Sequence, residues 1–483
     1  MAEATMCDRK TPLKDILFYA TGDGAASIVM NTIFGFGFMY YTKALGMDTR
    51  LAGIAIAVSV VWDAVVDPVM GHVSDNTRSR FGRRHPYMLI GGVMTVVCSY
   101  AIWAVPSVFR TPFLLFGYLV GINLLLRTGA AVFLVPHGAL GFEICTDYNQ
   151  RSTMQGIRTA FNMVVNLAAS QLVWNVFLRN REGVDGATLP ANYQRMGLAF
   201  AAVALVFVLI VVFATRKYIV DNRGNPEIAG NSFDAIVRNL RDILFDPYPR
   251  TVFIFMAILF ISVVLVTSLQ MFIYVDYMKF AKWEASVVHC STMVCAALGA
   301  LSSAILVRRF DKKPSIVLAI LASSVGNIML LVLFYTGWVP TSLTWGSVPV
   351  AMLLFMVFHG VYHLSTNAAT AIANSMMADV SELSHYRTGV LKDGGYSAMM
   401  LFVFKMGIAV GLLLCGYCMK WIGYDPQAPQ NAPEAIGNLM PMAFLGGTII
   451  ALIAVVSMIR YPVNRAYMAE IRAAITEGRK PGE

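Results

Sequence analysis

Apolar runs, each about twenty residues or longer, follow one another along the chain, at approximately 15–43, 51–73, 86–105, 112–142, 153–178, 196–215, 250–278, 285–307, 314–337, 348–377, 395–421 and 439–459. A helix needs ~20 such residues to cross the hydrocarbon of a bilayer, and each run meets that length. The pattern predicts an all-α membrane protein with twelve transmembrane helices. The longest polar interval, 216–249, falls between the sixth and seventh runs. It divides the chain into an N-terminal six-helix bundle over 1–215 and a C-terminal bundle with a tail over 250–483. Within the interval, SFDAIVRNLRDILF has amphipathic spacing and predicts a short helix lying on the membrane surface.

Charge turns the count of spans into an orientation. Arg78, Arg80, Arg83 and Arg84 crowd the turn after the second run, Arg308, Arg309, Lys312 and Lys313 the turn after the eighth, and more bases fill 216–250 and 460–480. Short loops rich in Lys and Arg stay in the cytoplasm. With an even number of spans, both termini are therefore expected on the cytoplasmic side of a cell (inner) membrane. The opposite loops are poorer in positive charge: 338–347 has none and 422–438 carries acids only, although Arg179, Arg181 and Arg195 flank 179–195. The halves also echo one another. GFEICTDYNQRSTMQGIRTAF after the fourth run and SMMADVSELSHYRTGVLKDGGYSAMM after the tenth both pass from an apolar helix through an acidic turn and a base into another helix. This points to two pseudo-symmetric six-helix repeats rocking about a central cavity.

Composition excludes the alternatives to a membrane protein. The chain is 57% hydrophobic and 13% charged, with a mean hydropathy of +0.63, which 483 residues cannot hide in one soluble core. The net charge of +9 sits mainly in short segments between apolar runs, where it orients a membrane protein and does not bind nucleic acid. MAEATMCDRKTPLKD lacks the layout of a removable signal peptide, so the first helix is expected to remain as the insertion signal. The seven cysteines are scattered and mostly lie in apolar helices, which argues against a disulfide framework. Cys415 and Cys418 form a C-x-x-C without a second pair, and read as small packing residues. No nucleophile–base pair or metal motif supports catalysis, so neither an enzyme nor a bound cofactor is expected.

The candidate chemistry lies in the charges that the pattern drives into the membrane. Asp63 and Asp67 sit one turn apart on one face of the second helix. A carboxylate near the midplane costs at least ~2.5–3.5 kcal/mol, so the pair should look into a protein cavity and meet a cation or a cationic side chain. A structural pair joining two helices is the other reading. Asp23, Arg127, Arg158 and Lys405 are also intramembrane, and with the two aspartates their signs balance. Glycines beside Asp23 permit close helix approach, and Asn31 is a plausible polar neighbour. Arg127 is too deep to reach the interface, so it should point at a carboxylate of the protein or of the substrate. His137, His289, His359 and His363 are intramembrane as well, with His359 and His363 spaced for one face; polar packing and contact with substrate or proton both remain open. Tyr19, Trp62, Trp174 and Tyr396 are candidates for stacking on sugar rings, against core or lipid-facing roles.

The loop GHVSD followed by Arg78, Arg80, Gly82, Arg83 and Arg84 resembles the signature between helices II and III of the major facilitator superfamily. YATGDG around Asp23, WDAVVDP around Asp63 and Asp67, NTRSRFGRRHPY, and MMADV through Lys405 resemble, more narrowly, the glycoside-pentoside-hexuronide:cation symporter family. The resemblance covers nearly the full length and implies the major facilitator fold. It implies that Asp23 and Arg158 contact sugar, that Asp63 and Asp67 bind the coupling cation, H⁺ or Na⁺, and that Lys405 supports this acidic cluster. Arg127 and His137 join the candidate substrate contacts. Two departures stand out. Leu134-Val135-Pro136 replaces an acid before the helix IV proline, and Val66 stands where a sodium-site asparagine is expected beside the second helix II acid. The second favours a proton, which a carboxylate binds without a coordination shell. The resulting expectation is a monomeric secondary transporter, importing a sugar, glycoside or uronate with a cation by alternating access. Its alternative is a lysophospholipid or other amphiphile, as carried by distant relatives that keep the helix XI lysine.

Overall fold

The computed structural model describes residues 11–109, 111–145, 148–180, 184–219, 241–388, 393–428, 430–459 and 461–476. The chain divides into two compact units, Met1–Asn231 and Ser232–Glu483. In the first, α1 (Leu13–Met39), α2 (Thr49–Asn76), α3 (His85–Trp103), α4 (Pro112–Ile144), α5 (Tyr148–Leu172) and α6 (Pro190–Ala214) run in sequence. In the second come α7 (Pro247–Phe272), α8 (Lys282–Phe310), α9 (Lys312–Leu330), α10 (Val350–Thr388), α11 (Asp393–Trp421), α12 (Gly446–Met458) and a terminal α13 (Arg465–Thr476). Of the amphipathic stretch expected at 232–245, only 241–245 lie within the described residues, and these are helical.

Eleven of the described helices are long and apolar enough to cross a membrane. Among the twelve apolar runs the exception is the first, in α1, which is interrupted by Thr21, Asp23, Ser27 and Asn31. The sequence shows why each helix starts where it does. Asp48 caps α2 by accepting from the Arg50 N–H at 2.9 Å, and Asp311 caps α9 by accepting from Lys312 N–H at 2.6 Å. Pro112, Pro190 and Pro247 begin α4, α6 and α7, where their missing N–H has no helical partner to lose. The helix of the tenth apolar run extends to Thr388, beyond the expected end at 377, as a polar stretch carrying Asp379 and Glu382.

Packing repeats between the units. In the first, α1 packs on α5 and α6, α2 on α4, and α3 on α4 and α6. In the second, α7 packs on α11 and α12, α8 on α10, and α9 on α10 and α12. Helix ends repeat as well. Past α1 the Met47 N–H reaches the Tyr41 carbonyl with Gly46 at φ 75°, and past α7 the Phe280 N–H reaches Tyr274 with Lys279 at φ 52°. Small residues set the tightest crossings: a Cβ on Gly299 of α8 would collide with the Leu364 carbonyl of α10.

Candidate functional site

In the N-terminal unit, α1, α4 and α5 converge on Asp23. Arg158 holds its carboxylate with a two-pronged fork, Nε to Oδ2 at 2.7 Å and Nη2 to Oδ1 at 2.8 Å. Its Nη1 donates to Gln155 at 3.2 Å, and the guanidinium stands 5.3 Å from the ring of Tyr19. Tyr19 stacks on His137 at 4.4 Å and donates its hydroxyl to the His137 carbonyl at 2.6 Å. His137 Nε2 lies 3.1 Å from the Tyr19 carbonyl, so that nitrogen carries the hydrogen. The glycines permit this assembly, since a Cβ on Gly22 would meet the His137 ring and one on Gly24 the Phe161 ring. Asn31 donates to Ser27 at 2.9 Å, not to Asp23. His137 is fully buried beneath Tyr19.

A second, looser pair joins α2 to α4. Arg127 Nη1 approaches Asp63 Oδ2 at 3.4 Å, with the two side chains 16% and 10% exposed. Beside it the Trp62 indole donates to Thr128 at 2.9 Å. Pro68 follows Asp67 directly and leaves the Ala64 carbonyl without its helical donor, an irregularity of backbone next to the acidic pair. Asp67 and Val66 are half-buried. Of the four aromatic candidates, Tyr19, Trp174 and Tyr396 are buried, and Trp62 alone keeps an open face, at 43% exposure.

Sequence reasoning missed the carboxylates that hold the basic turns. Glu143 at the end of α4 accepts from Arg83 Nη2 at 2.7 Å and stands 3.4 Å from Arg84 Nη1. At the equivalent end of α10, Asp379 meets Lys312 Nζ at 2.5 Å and Arg472 of α13 at 3.6 Å, while Arg472 reaches Glu382 at 2.8 Å. Its donation to Glu382 holds the Arg472 guanidinium further toward its charged form. The echo of GFEI and MMADV was the signal for these residues. At the same end of the first unit, Asp15 accepts from Lys217 at 2.5 Å and from the Tyr218 hydroxyl at 2.8 Å. Burial first, then that bond, pushes the Tyr218 phenol well above its ordinary range.

In the C-terminal unit Lys405 is half-buried in α11. His359 is fully buried, with its Nε2 2.7 Å from Gln270 Oε1 of α7 and its ring 4.7 Å from that of His363. A cavity of about 610 Å³ opens between α10 and α11, with Asn374, Ser381, Glu382, His385 and Ser397 among its polar lining. Among the described residues no cluster of His, Cys, Asp or Glu is arranged to hold a metal ion.

The two units pack their helices alike, the first carries two carboxylate–guanidinium pairs inside its spans, and eleven described helices are able to cross a membrane. The family model described as MFS/sugar transport protein matches residues 18–465. The chain thus belongs to the major facilitator superfamily, in its glycoside-pentoside-hexuronide:cation symporter family. It is 25% identical over 450 residues to the inner membrane symporter YicJ of Escherichia coli (strain K12), covering 93% of this chain and 91% of the relative. The glucuronide carrier protein homolog of the same organism is 22% identical, with 97% and 96% covered. The crystal structure of the nucleoside transporter NupG superposes with a TM-score of 0.67 at 12% identity, over 93% of this chain and 99% of that one. That likeness shows the fold.

Proposed function

We propose that this protein is a proton-coupled symporter that brings a sugar, glycoside or uronate across the inner membrane by alternating access, with both termini cytoplasmic. The observation that carries the reading is the contrast between the two intramembrane ion pairs. Asp23 and Arg158 are locked by two short bonds, whereas Arg127 approaches Asp63 at 3.4 Å. A proton arriving at Asp63 weakens that longer contact and would release Arg127 toward a cargo oxygen. Asp63 and Asp67 then carry the coupling ion. Asp23, Arg158 and the freed Arg127 face the cargo, and His137 stiffens Tyr19 behind them. Lys405 enters the coupling set by its likeness to the family's helix XI lysine. Val66 offers no oxygen for sodium, while a carboxylate takes up a proton unaided. The relative named a glucuronide carrier supports a carbohydrate cargo.

One charge falling through 100 mV supplies about 2.3 kcal/mol, or roughly fiftyfold accumulation. The test uses proteoliposomes with an inward pH gradient and no sodium, loaded with glycosides and glucuronides. Uphill uptake is expected. A strict sodium requirement would overturn the proton reading, and uptake of lysophosphatidylcholine in place of sugars would overturn the cargo.

A further inference from the structure

The buried imidazoles of the C-terminal unit are unused by the mechanism above, and their surroundings assign them a task. Counting back 16 residues from Glu143 and from Asp379, the carboxylates that hold the basic turns, sets His363 level with Arg127, and counting back 20 sets His359 level with Asn123. The neighbours agree with that register. Asn123 donates to the Tyr41 hydroxyl at 2.7 Å, and the His359 ring stands 6.4 Å from that of Tyr274, which holds past α7 the place that Tyr41 holds past α1.

Gln270 Oε1 can only accept, so His359 Nε2 bears the ring hydrogen and Nδ1 holds a free lone pair. That Nδ1, His363 Nε2 and the hydroxyl of Tyr274 are all buried, and each lacks a hydrogen-bond partner among the described residues. The rings are in mutual contact, with His359 to Tyr362 at 5.5 Å and Tyr362 to His363 at 5.1 Å. Three orphaned polar atoms in one apolar setting, walled by Phe355 and Phe444, each carry a desolvation penalty unless something binds there. Among the described residues, the groups facing the pair are Gln270 from α7, Tyr274 just past its end, His289 from α8 and Phe444 just before α12, and no carboxylate, lysine or arginine acts on either ring.

We propose that His359 and His363 form a proton-holding station in the C-terminal unit, one proton being held between the two imidazoles. The balance is simple: the proton adds to the Nδ1 lone pair of His359, no bond breaks, and the charge is shared with His363. Gln270 accepts from Nε2–H throughout, and the tyrosine hydroxyls can turn their oxygens toward the cation. With no facing carboxylate the station is neutral at rest and fills only under an acid load. Its use in transport rests on the proton-coupled reading, but its existence rests on this geometry alone.

The experiment takes full-length, ¹⁵N-histidine-labelled protein in liposomes and follows the ring nitrogens by solid-state NMR from about pH 8 to about pH 5. His359 and His363 are expected to convert in a single shared step. In His363→Gln the His359 signal should stay neutral across that range, and in His359→Gln so should that of His363. Gln270→Leu, which removes the acceptor, should move the step down by about one pH unit, a tenfold loss of proton affinity. Two neutral rings at the acid end in the unsubstituted protein, or either ring titrating unchanged without the other, would overturn the proposal. Uphill uptake by the same liposomes is a separate readout. A shared histidine step without proton-driven uptake supports the station and overturns the coupling reading; proton-driven uptake with two neutral rings does the reverse.

Discussion

The two units place the same helices in the same contacts and fill them with opposite chemistry. In the first, the α2–α4 contact carries Asp63 and Arg127. In the second, counting from the N-caps Asp48 and Ala281, Asp63 falls level with Ala296, and Arg127 is level with His363. One unit thus presents a charge pair and the other a methyl group opposite an imidazole. An ion pair inside a membrane stands only when both members are present, because either alone is an unpaired charge in a low dielectric. A twofold repeat can therefore gain or lose such a pair while its backbone packing stays unchanged. At this contact, fixed charge stands in one unit and a neutral, titratable group in the other.

The largest effect expected on that contrast comes from Asp63→Asn and Asp67→Asn, each of which should reduce roughly fiftyfold accumulation to equilibration. Downhill exchange should persist, and normal uphill uptake in both variants would show that the charged pair is structural. The contrast can also be broken from the other side. His363→Arg puts a cation where the second unit has no carboxylate, and should destabilise the protein by about 3–5 kcal/mol in a thermal unfolding assay. Adding Ala296→Asp transplants the pair and should recover part of that loss; no recovery would mean that the registers do not correspond.

Smaller effects separate the two pairs within the first unit. Arg158→Lys keeps the charge and loses the fork to Asp23, so uptake should fall about tenfold, a loss of ~1.4 kcal/mol. Normal uptake would place the fork outside the working site. At the basic turns the units should differ least. Arg472 is 59% exposed and screened by solvent, so Arg472→Ala should cost under ~1 kcal/mol of stability. Glu143→Gln, which removes the carboxylate charge that Arg83 and Arg84 meet, should cost more; equal costs would erase that difference.

Much of the site was legible in the chain because intramembrane charge is rare. Asp23, Asp63, Arg127 and Arg158 stand out in apolar runs by residue type alone, and the need for partners predicted that acids and bases would meet. Which base meets which acid was not legible. Arg127 and Asp63 are 64 positions apart, Arg158 and Asp23 are 135 apart, and no local periodicity reports a distance across a bundle. Gln270 was overlooked because an uncharged amide in an apolar run looks like a packing residue until its neighbour is known to be His359.

By itself the sequence determined the membrane-spanning character of the chain, the family and the buried charges. The spans and the buried charges follow from transfer free energies and spacing, which act residue by residue along the chain, and the family follows from the likeness of its motifs. Only the tertiary structure decided the pairings, the tautomer of His359, the burial of His137, Trp174 and Tyr396 against the open face of Trp62, and the clasp from Arg472 to Glu382. These depend on which faces of distant helices come together. That is set by close approaches such as Gly22 to His137 and Gly299 to Leu364, where the absence of one Cβ fixes the position of a whole helix.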